Sequence, residues 1–158
     1  VKSIANYISP YSNENNIRMP ICPEAIQSND QTTWNAYAVH PVICPDFDEN
    51  QKKFWRPGKI PRTSEIILVM ESAQKLNSSC YPTLKSIPGI FVAGDPSQKY
   101  NNVIGDFKQH NTDGVDANLG WPRFRHINTT ANTAYVDGHV KNIRINSITE
   151  ANIKTDNY

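Results

Sequence analysis

The hydrophobic positions of this chain follow mainly the alternation and the short apolar runs that are typical of β-strands. The clearest run is Ser64–Glu71, which is short and apolar and predicts a central strand buried on both faces. Thr32–Val39 and Ile87–Ala93 carry aromatic or β-branched residues and predict further short strands. The pattern as a whole therefore predicts a sheet rather than a helical bundle.

Helical periodicity is confined to the two ends of the chain. Residues 1–9 predict the end of a helix, which Pro10 stops because proline disfavours the helical conformation in the residue before it. The apolar positions that share one helix face there are Val1, Ile4, Ala5 and Ile8. Ser147–Thr155 predicts a short terminal helix, in which Ser147 and Glu150 have the spacing of a capping box.

The strongest local signal is a hairpin in Arg123–Lys141, where two β-rich runs flank Asp137–Gly138. A two-residue type I′ loop there places Tyr135 opposite Val140. If Asn128–Thr130 is a second tight turn, a third strand follows over Phe124–Ile127. The sequence thus predicts a three-stranded meander, with His126 facing Asn132.

Three residues of this hairpin, His126, Asp137 and His139, suggest a metal or acid–base site. The predicted register argues against that reading, because it places His126 and Asp137 at opposite ends of one strand, roughly 16 Å apart. We therefore expect His126 to be a half-buried structural histidine that is hydrogen-bonded to nearby backbone.

Composition limits the classes of function. The chain has 158 residues and a net charge of +1, which predicts one globular domain over residues 1–158 and no basic face for nucleic acid. The sequence contains no apolar run long enough to span a membrane. Because it begins at Val1 rather than Met, we expect that an upstream segment was removed.

Three cysteines occur at spacings that match no zinc motif: Cys22, Cys44 and Cys80. In an oxidising compartment they predict one disulfide, with Cys22 and Cys44 as the pair, and one spare thiol. The alternative is three buried free thiols, since cysteine is among the most buried residue types.

The Asn- and Asp-rich stretch before Trp121 offers oxygen ligands of the kind that calcium binds. An EF-hand is excluded, because Gln109 and Gly120 would stand at its first and twelfth positions. A different calcium site remains an alternative to plain turn structure. Its ligands would be Asp106, Asp113 and Asp116.

Enzymatic chemistry has little support in the sequence. The chain has no G-x-S-x-G nucleophile elbow, and its paired carboxylates carry no information on their spacing in space. Trp121 and Trp55 could stack on a ligand such as a sugar, although anchoring of the core or of a loop is the usual role of tryptophan. We expect no catalytic residues and, calcium aside, no cofactor.

Residues 125–140 resemble the carboxy-terminal signature of prepilin-type, pseudopilin-like proteins, which consists of a histidine, nine intervening residues and Asp-Gly. Here ten residues separate His126 from Asp137, and we assign the extra one to the turn at 128–130. Gly138 and His139 complete the signature, over a hairpin region of residues 122–145. Three further stretches are similar to that family in the same order: residues 1–23, Trp34–Tyr37 and Ser64–Ser72.

The resemblance implies an α+β, pilin-like fold, in which a truncated amino-terminal helix packs on an antiparallel sheet with long loops. It implies a non-enzymatic component of a type II secretion or surface-assembly apparatus, cleaved and methylated by a prepilin peptidase. The partners would be other pseudopilin subunits and secretion-machinery proteins. The head would lie in the periplasm or at the cell surface, anchored to the inner membrane by the missing helix. The alternative is an extracellular ligand- or glycan-binding surface protein on the same fold.

Overall fold

The computed structural model describes residues 22, 24–25, 36–44, 58, 60–74, 84, 93–94, 107–115, 118, 120–127 and 129–156. Within these ranges the strands are β1 (Tyr37–Val39), β2 (Ile67–Glu71), β3 (Ala93–Gly94), β4 (Thr130–Tyr135), β5 (Val140–Arg144) and β6 (Thr155–Asp156). A 3-10 turn (Phe107–His110) precedes β4, and a short helix, α1 (Glu150–Ile153), precedes β6.

Four of these strands form an antiparallel sheet in the order β1-β2-β4-β5, while β3 and β6 pair in parallel. The central position predicted for the apolar run is confirmed, because β2 lies between β1 and β4. Ile67 and Met70 of β2 are fully buried, as the β-branched and long apolar side chains of an inner strand should be.

The predicted α+β pilin fold, with a helix packed on the sheet, is wrong for the described part of the chain. The described residues contain a four-stranded antiparallel sheet and almost no helix, namely the 3-10 turn and the four-residue α1. The side chains that pack in the core of the sheet include Phe107 of the 3-10 turn, Phe124 and Ile153 of α1. The helix predicted over residues 1–9 lies outside the described residues.

The hairpin is present, but its register differs by one residue from the prediction. Val140 pairs with Ala134 rather than with Tyr135, and the loop has three residues, Val136–Gly138. The Gly138 backbone N–H donates to the carbonyl of Tyr135 over 2.9 Å, and Gly138 alone in this loop takes a positive φ, of 93°. A three-residue loop that ends on a left-handed glycine therefore replaces the type I′ turn.

The predicted third strand of the meander does not form. Within Phe124–Ile127, His126 makes an isolated bridge to Thr130. The free edge of β4 pairs instead with β2, where Met70 stands opposite Thr133. The more apolar strand takes this edge because it has more surface to bury.

The short terminal helix is present, but its cap is not the predicted pair. Thr149 is the N-cap, and its backbone N–H donates to Asn152 Oδ1 over 2.8 Å. At the other end, His40 Nε2 lies 2.7 Å from the carbonyl oxygen of Ile153, and Arg62 donates to the carbonyl of Lys154 over 2.9 Å. These contacts satisfy carbonyl groups that the end of a helix leaves without partners. No helix of the described residues has the length and apolar character needed to cross a membrane.

Candidate functional site

A buried carboxylate at the end of β2 meets the signature histidine. Glu71 is the last residue of β2 and is completely buried, while the His126 side chain is 20% exposed. His126 Nε2 lies 2.7 Å from Glu71 Oε1, which joins segments 55 residues apart in the chain. The expected half-buried histidine is therefore present, but its partner is a buried side chain rather than nearby backbone.

Two more residues approach the same histidine nitrogen. Asn132 Nδ2 lies 2.9 Å from His126 Nε2, and Cys22 Sγ lies 3.6 Å from it. The second oxygen of Glu71, Oε2, accepts a hydrogen bond of 3.2 Å from the backbone N–H of Asn132. A ring nitrogen has one proton or one lone pair, so Nε2 cannot satisfy all of these neighbours at once.

The far side of the histidine ring faces a second carboxylate. Glu24 Oε1 lies 3.6 Å from His126 Nδ1, and the Glu24 side chain is 44% exposed. Both edges of the imidazole thus face acidic groups, one buried and one at the surface.

The electrostatics of the cluster disfavour additional negative charge. Burial and the hydrogen bond to Glu71 raise the pKa of the Cys22 thiol above its ordinary value. Burial and the nearby Glu71 charge also raise the pKa of Tyr37, while Arg125 acts in the opposite direction on both groups. In the described residues, Cys22, Glu71 and His126 are the group that could hold a metal ion, with ligand atoms within 4.8 Å of one another.

Asp113, one of the candidate calcium ligands, is already neutralised by two arginines. Arg123 Nε donates to its Oδ2 over 2.9 Å, and Arg125 donates to its Oδ1 over 2.9 Å. The backbone N–H of Gln74 donates to the same Oδ1 over 2.8 Å. Since guanidinium groups hold both oxygens, this carboxylate fixes its loop to the segment that follows β2. The other two candidate ligands, Asp106 and Asp116, lie outside the described residues.

The turn of the hairpin carries a second histidine–carboxylate contact. Asp137 Oδ1 lies 2.6 Å from His139 Nδ1 and accepts a 3.1 Å hydrogen bond from the His139 backbone N–H. These hydrogen bonds hold the pKa of Asp137 below its ordinary value. The His139 ring also stacks on Tyr135, with ring centroids 4.2 Å apart. His126 and Asp137 therefore have different partners.

Trp121, a candidate for stacking on a ligand, packs its ring against other residues of the protein. Trp121 stacks on His110 with ring centroids 3.6 Å apart, and it meets Phe107 edge-on. One face of the indole is thus covered by a histidine rather than open to a sugar. Trp55 lies outside the described residues.

The predicted disulfide is not formed in the structure, where Cys22 and Cys44 are both free thiols. Cys22 packs with Ala25 and Ala36, whereas Cys44 packs against a different cluster that contains Ile43. The two residues share Ile-Cys-Pro triplets but belong to separate parts of the core. Cys80 lies outside the described residues.

Sequence reasoning missed two buried polar residues, His40 and Glu71. His40 is fully buried, and its Nδ1 accepts from the backbone N–H of Val42 over 3.2 Å. Burial lowers the pKa of His40 to about 4. The signal for Glu71 was present, because an acidic residue that ends a buried apolar strand needs a buried partner. No local pattern indicated that this partner would be His126.

Comparison of the chain with protein-family models, with curated proteins and with solved structures finds no match.

Proposed function

We propose that this chain is a non-catalytic domain of a cell-envelope assembly component related to pseudopilins, exposed outside the cytoplasm. The observation that carries the proposal is the 2.7 Å contact between His126 and Glu71. His126 belongs to the carboxy-terminal signature, and Glu71 lies within Ser64–Ser72, another stretch on which the resemblance rests. The proposal concerns role and location, and it does not include the pilin fold.

The extra residue in the signature is compatible with this contact. The backbone N–H of Thr129 donates to the carbonyl of His126 over 3.0 Å, and Thr129 takes a left-handed φ of 59°. A tight turn thus follows His126 directly, where the sequence placed the insertion. A longer turn can absorb a residue while the histidine keeps its position against β2.

The state of the buried thiol supports a non-catalytic role. The raised pKa of Cys22 keeps the thiol protonated near neutral pH, and a protonated thiol is a poor nucleophile. Asp113 and Asp137 contact other residues of the chain, Arg123 and His139. These side chains, which suggested chemistry in the sequence, thus have partners within the protein.

The test uses the full-length gene product in its native cells, with and without the prepilin peptidase gene. We expect the protein to be shortened at its amino terminus only when the peptidase is present, and to fractionate with the cell envelope. Protease added outside the inner membrane should then degrade the domain. An amino terminus unaffected by the peptidase, together with a cytosolic location, would overturn the proposal.

A further inference from the structure

We propose that Cys22, Glu71 and His126 form a binding site for a divalent transition-metal ion, with zinc as the ion that fits the donor set best. The three residues supply one thiolate, one carboxylate and one imidazole, which are the ligand types of protein zinc sites. The inference rests on the arrangement of these side chains and does not depend on the proposed function.

All three ligand atoms lie within 4.8 Å of one another, and two of their separations can be compared with those of a tetrahedral site. Zinc bonds of ordinary length hold a sulfur and a nitrogen ligand about 3.6 Å apart. Cys22 Sγ and His126 Nε2 are already separated by 3.6 Å. A nitrogen and an oxygen ligand lie about 3.3 Å apart in such a site, so Glu71 Oε1, now 2.7 Å from Nε2, would withdraw by about 0.6 Å.

The groups around these ligands have the positions that metal sites require. A metal-bound histidine nearly always presents its other ring nitrogen to a carboxylate, a carbonyl or water. Here Glu24 Oε1 faces His126 Nδ1 at 3.6 Å, so Nε2 is left for the ion. The oxygen of Glu71 that faces away from the histidine is fixed by the backbone N–H of Asn132 at 3.2 Å.

Charge also favours an ion at this position. A thiolate at Cys22 and a carboxylate at Glu71 together carry two negative charges, which a divalent cation neutralises. Both residues are buried, where uncompensated negative charge is costly. An ion would accept the lone pair of His126 Nε2 and would make ligands of Cys22 and Glu71, two of the three polar neighbours of that nitrogen.

A nucleophilic cysteine is the other chemistry that a Cys–His contact suggests, and this environment opposes it. Reactive thiolates need electropositive surroundings. Glu71 instead places a carboxylate beside the Cys22 thiol and raises its pKa. The Glu71 carboxylate thus disfavours a nucleophilic thiolate at Cys22 and favours a bound cation. The three residues leave a fourth coordination position, and His126 is exposed enough for water to fill it.

The test is a titration of the chelator-treated, refolded full chain with Co²⁺ and then Zn²⁺. We expect one Co²⁺ per chain, with sulfur-to-cobalt charge-transfer absorption and the visible bands of tetrahedral cobalt, all removed by one equivalent of Zn²⁺. The thermal midpoint should rise with Zn²⁺, because the ion binds the folded state.

Variants separate this site from adventitious thiol binding. The Cys44→Ser/Cys80→Ser double variant keeps Cys22 as its only thiol and should bind Co²⁺ with the same spectrum. Cys22→Ser should abolish the charge-transfer band, and His126→Gln should weaken Co²⁺ binding at least tenfold, both with unchanged circular dichroism. A folded double variant without the charge-transfer band, or a Cys22→Ser variant that retains it, would overturn the proposal.

Discussion

The two histidines of the carboxy-terminal signature each contact a carboxylate, at similar distances but in different settings. His126 and Glu71 approach to 2.7 Å, and His139 and Asp137 approach to 2.6 Å. The first pair joins two segments 55 residues apart around a completely buried carboxylate. The second joins neighbours across the tip of a hairpin, where the two side chains are 43% and 35% exposed.

The difference teaches that a contact distance does not set the energy of a contact. At the hairpin tip, water solvates both groups whether or not they touch, and dissolved salt screens their attraction. Glu71 is completely buried, so loss of its side chain leaves its partners without a hydrogen bond. The His126–Glu71 pair should therefore matter to the fold, and the His139–Asp137 pair should not.

The largest expected effect is that of Glu71→Ala. This change leaves His126 Nε2 and the Asn132 N–H without their partner inside the protein and creates a cavity. We expect a loss of about 4 kcal/mol in the free energy of unfolding, as when one partner of a buried pair is removed. Urea unfolding with a metal chelator present measures it, and Asp137→Ala at the other pair is the matched control. A loss below that of an ordinary surface substitution would show that the buried pair is dispensable.

The His139–Asp137 pair was easier to anticipate from the sequence than the His126–Glu71 pair, because its members are neighbours in the chain. Asp137, Gly138 and His139 are neighbours, and turn chemistry acts between neighbours, so a hairpin at this place was predictable. The partner of His126 comes from a strand whose position depends on the packing of the whole sheet. A single sequence carries no direct record of such a long-range contact.

The error in the predicted hairpin register has the same cause, namely a long-range contact that the local sequence does not reveal. Asp137–Gly138 is compatible both with a two-residue loop and with a three-residue loop that ends on a left-handed glycine. The three-residue loop changes the cross-strand partner of Val140 from Tyr135 to Ala134. It depends on the pairing of β4 with β2, which no residue of the turn determines. The central position of β2, by contrast, follows from its own apolar run and was predicted correctly.

A third histidine extends the comparison, because His40 is fully buried. Its pKa is lowered to about 4 in the folded chain, against an ordinary value near 6.5. Between these two pH values the unfolded chain binds a proton that the folded chain does not, so stability falls as the pH falls. The loss attributable to His40 should approach about 3 kcal/mol near pH 4 and be absent above pH 7.

Urea unfolding between pH 7 and pH 4 measures this dependence. His40→Gln should flatten the slope, whatever its effect on stability at pH 7. Equal slopes in the wild type and in His40→Gln would mean that the burial of His40 does not control acid stability.

A smaller effect is expected from Gly138→Ala, which tests the hairpin loop that carries the exposed pair. Gly138 has a φ of 93°, and no atom beyond its chain neighbours lies within 4 Å of the place an added Cβ would take. The cost is therefore conformational, about 1 kcal/mol in the free energy of unfolding. Gly58→Ala is the control, since Gly58 has equal space and no left-handed φ. A type I′ turn would instead need a positive φ at residue 137 as well, so Asp137→Gly should then be clearly stabilising.

The smallest effect is expected from Asp137→Ala. The carboxylate that this change removes lies in water at the hairpin tip, and water can replace it at the His139 N–H. The ring of His139 keeps its stacking on Tyr135, which does not involve Asp137. We expect no measurable change in the urea midpoint at low or high salt. If Asp137→Ala instead destabilises the chain as much as Glu71→Ala, distance rather than burial governs these contacts, and the contrast between the two pairs is wrong.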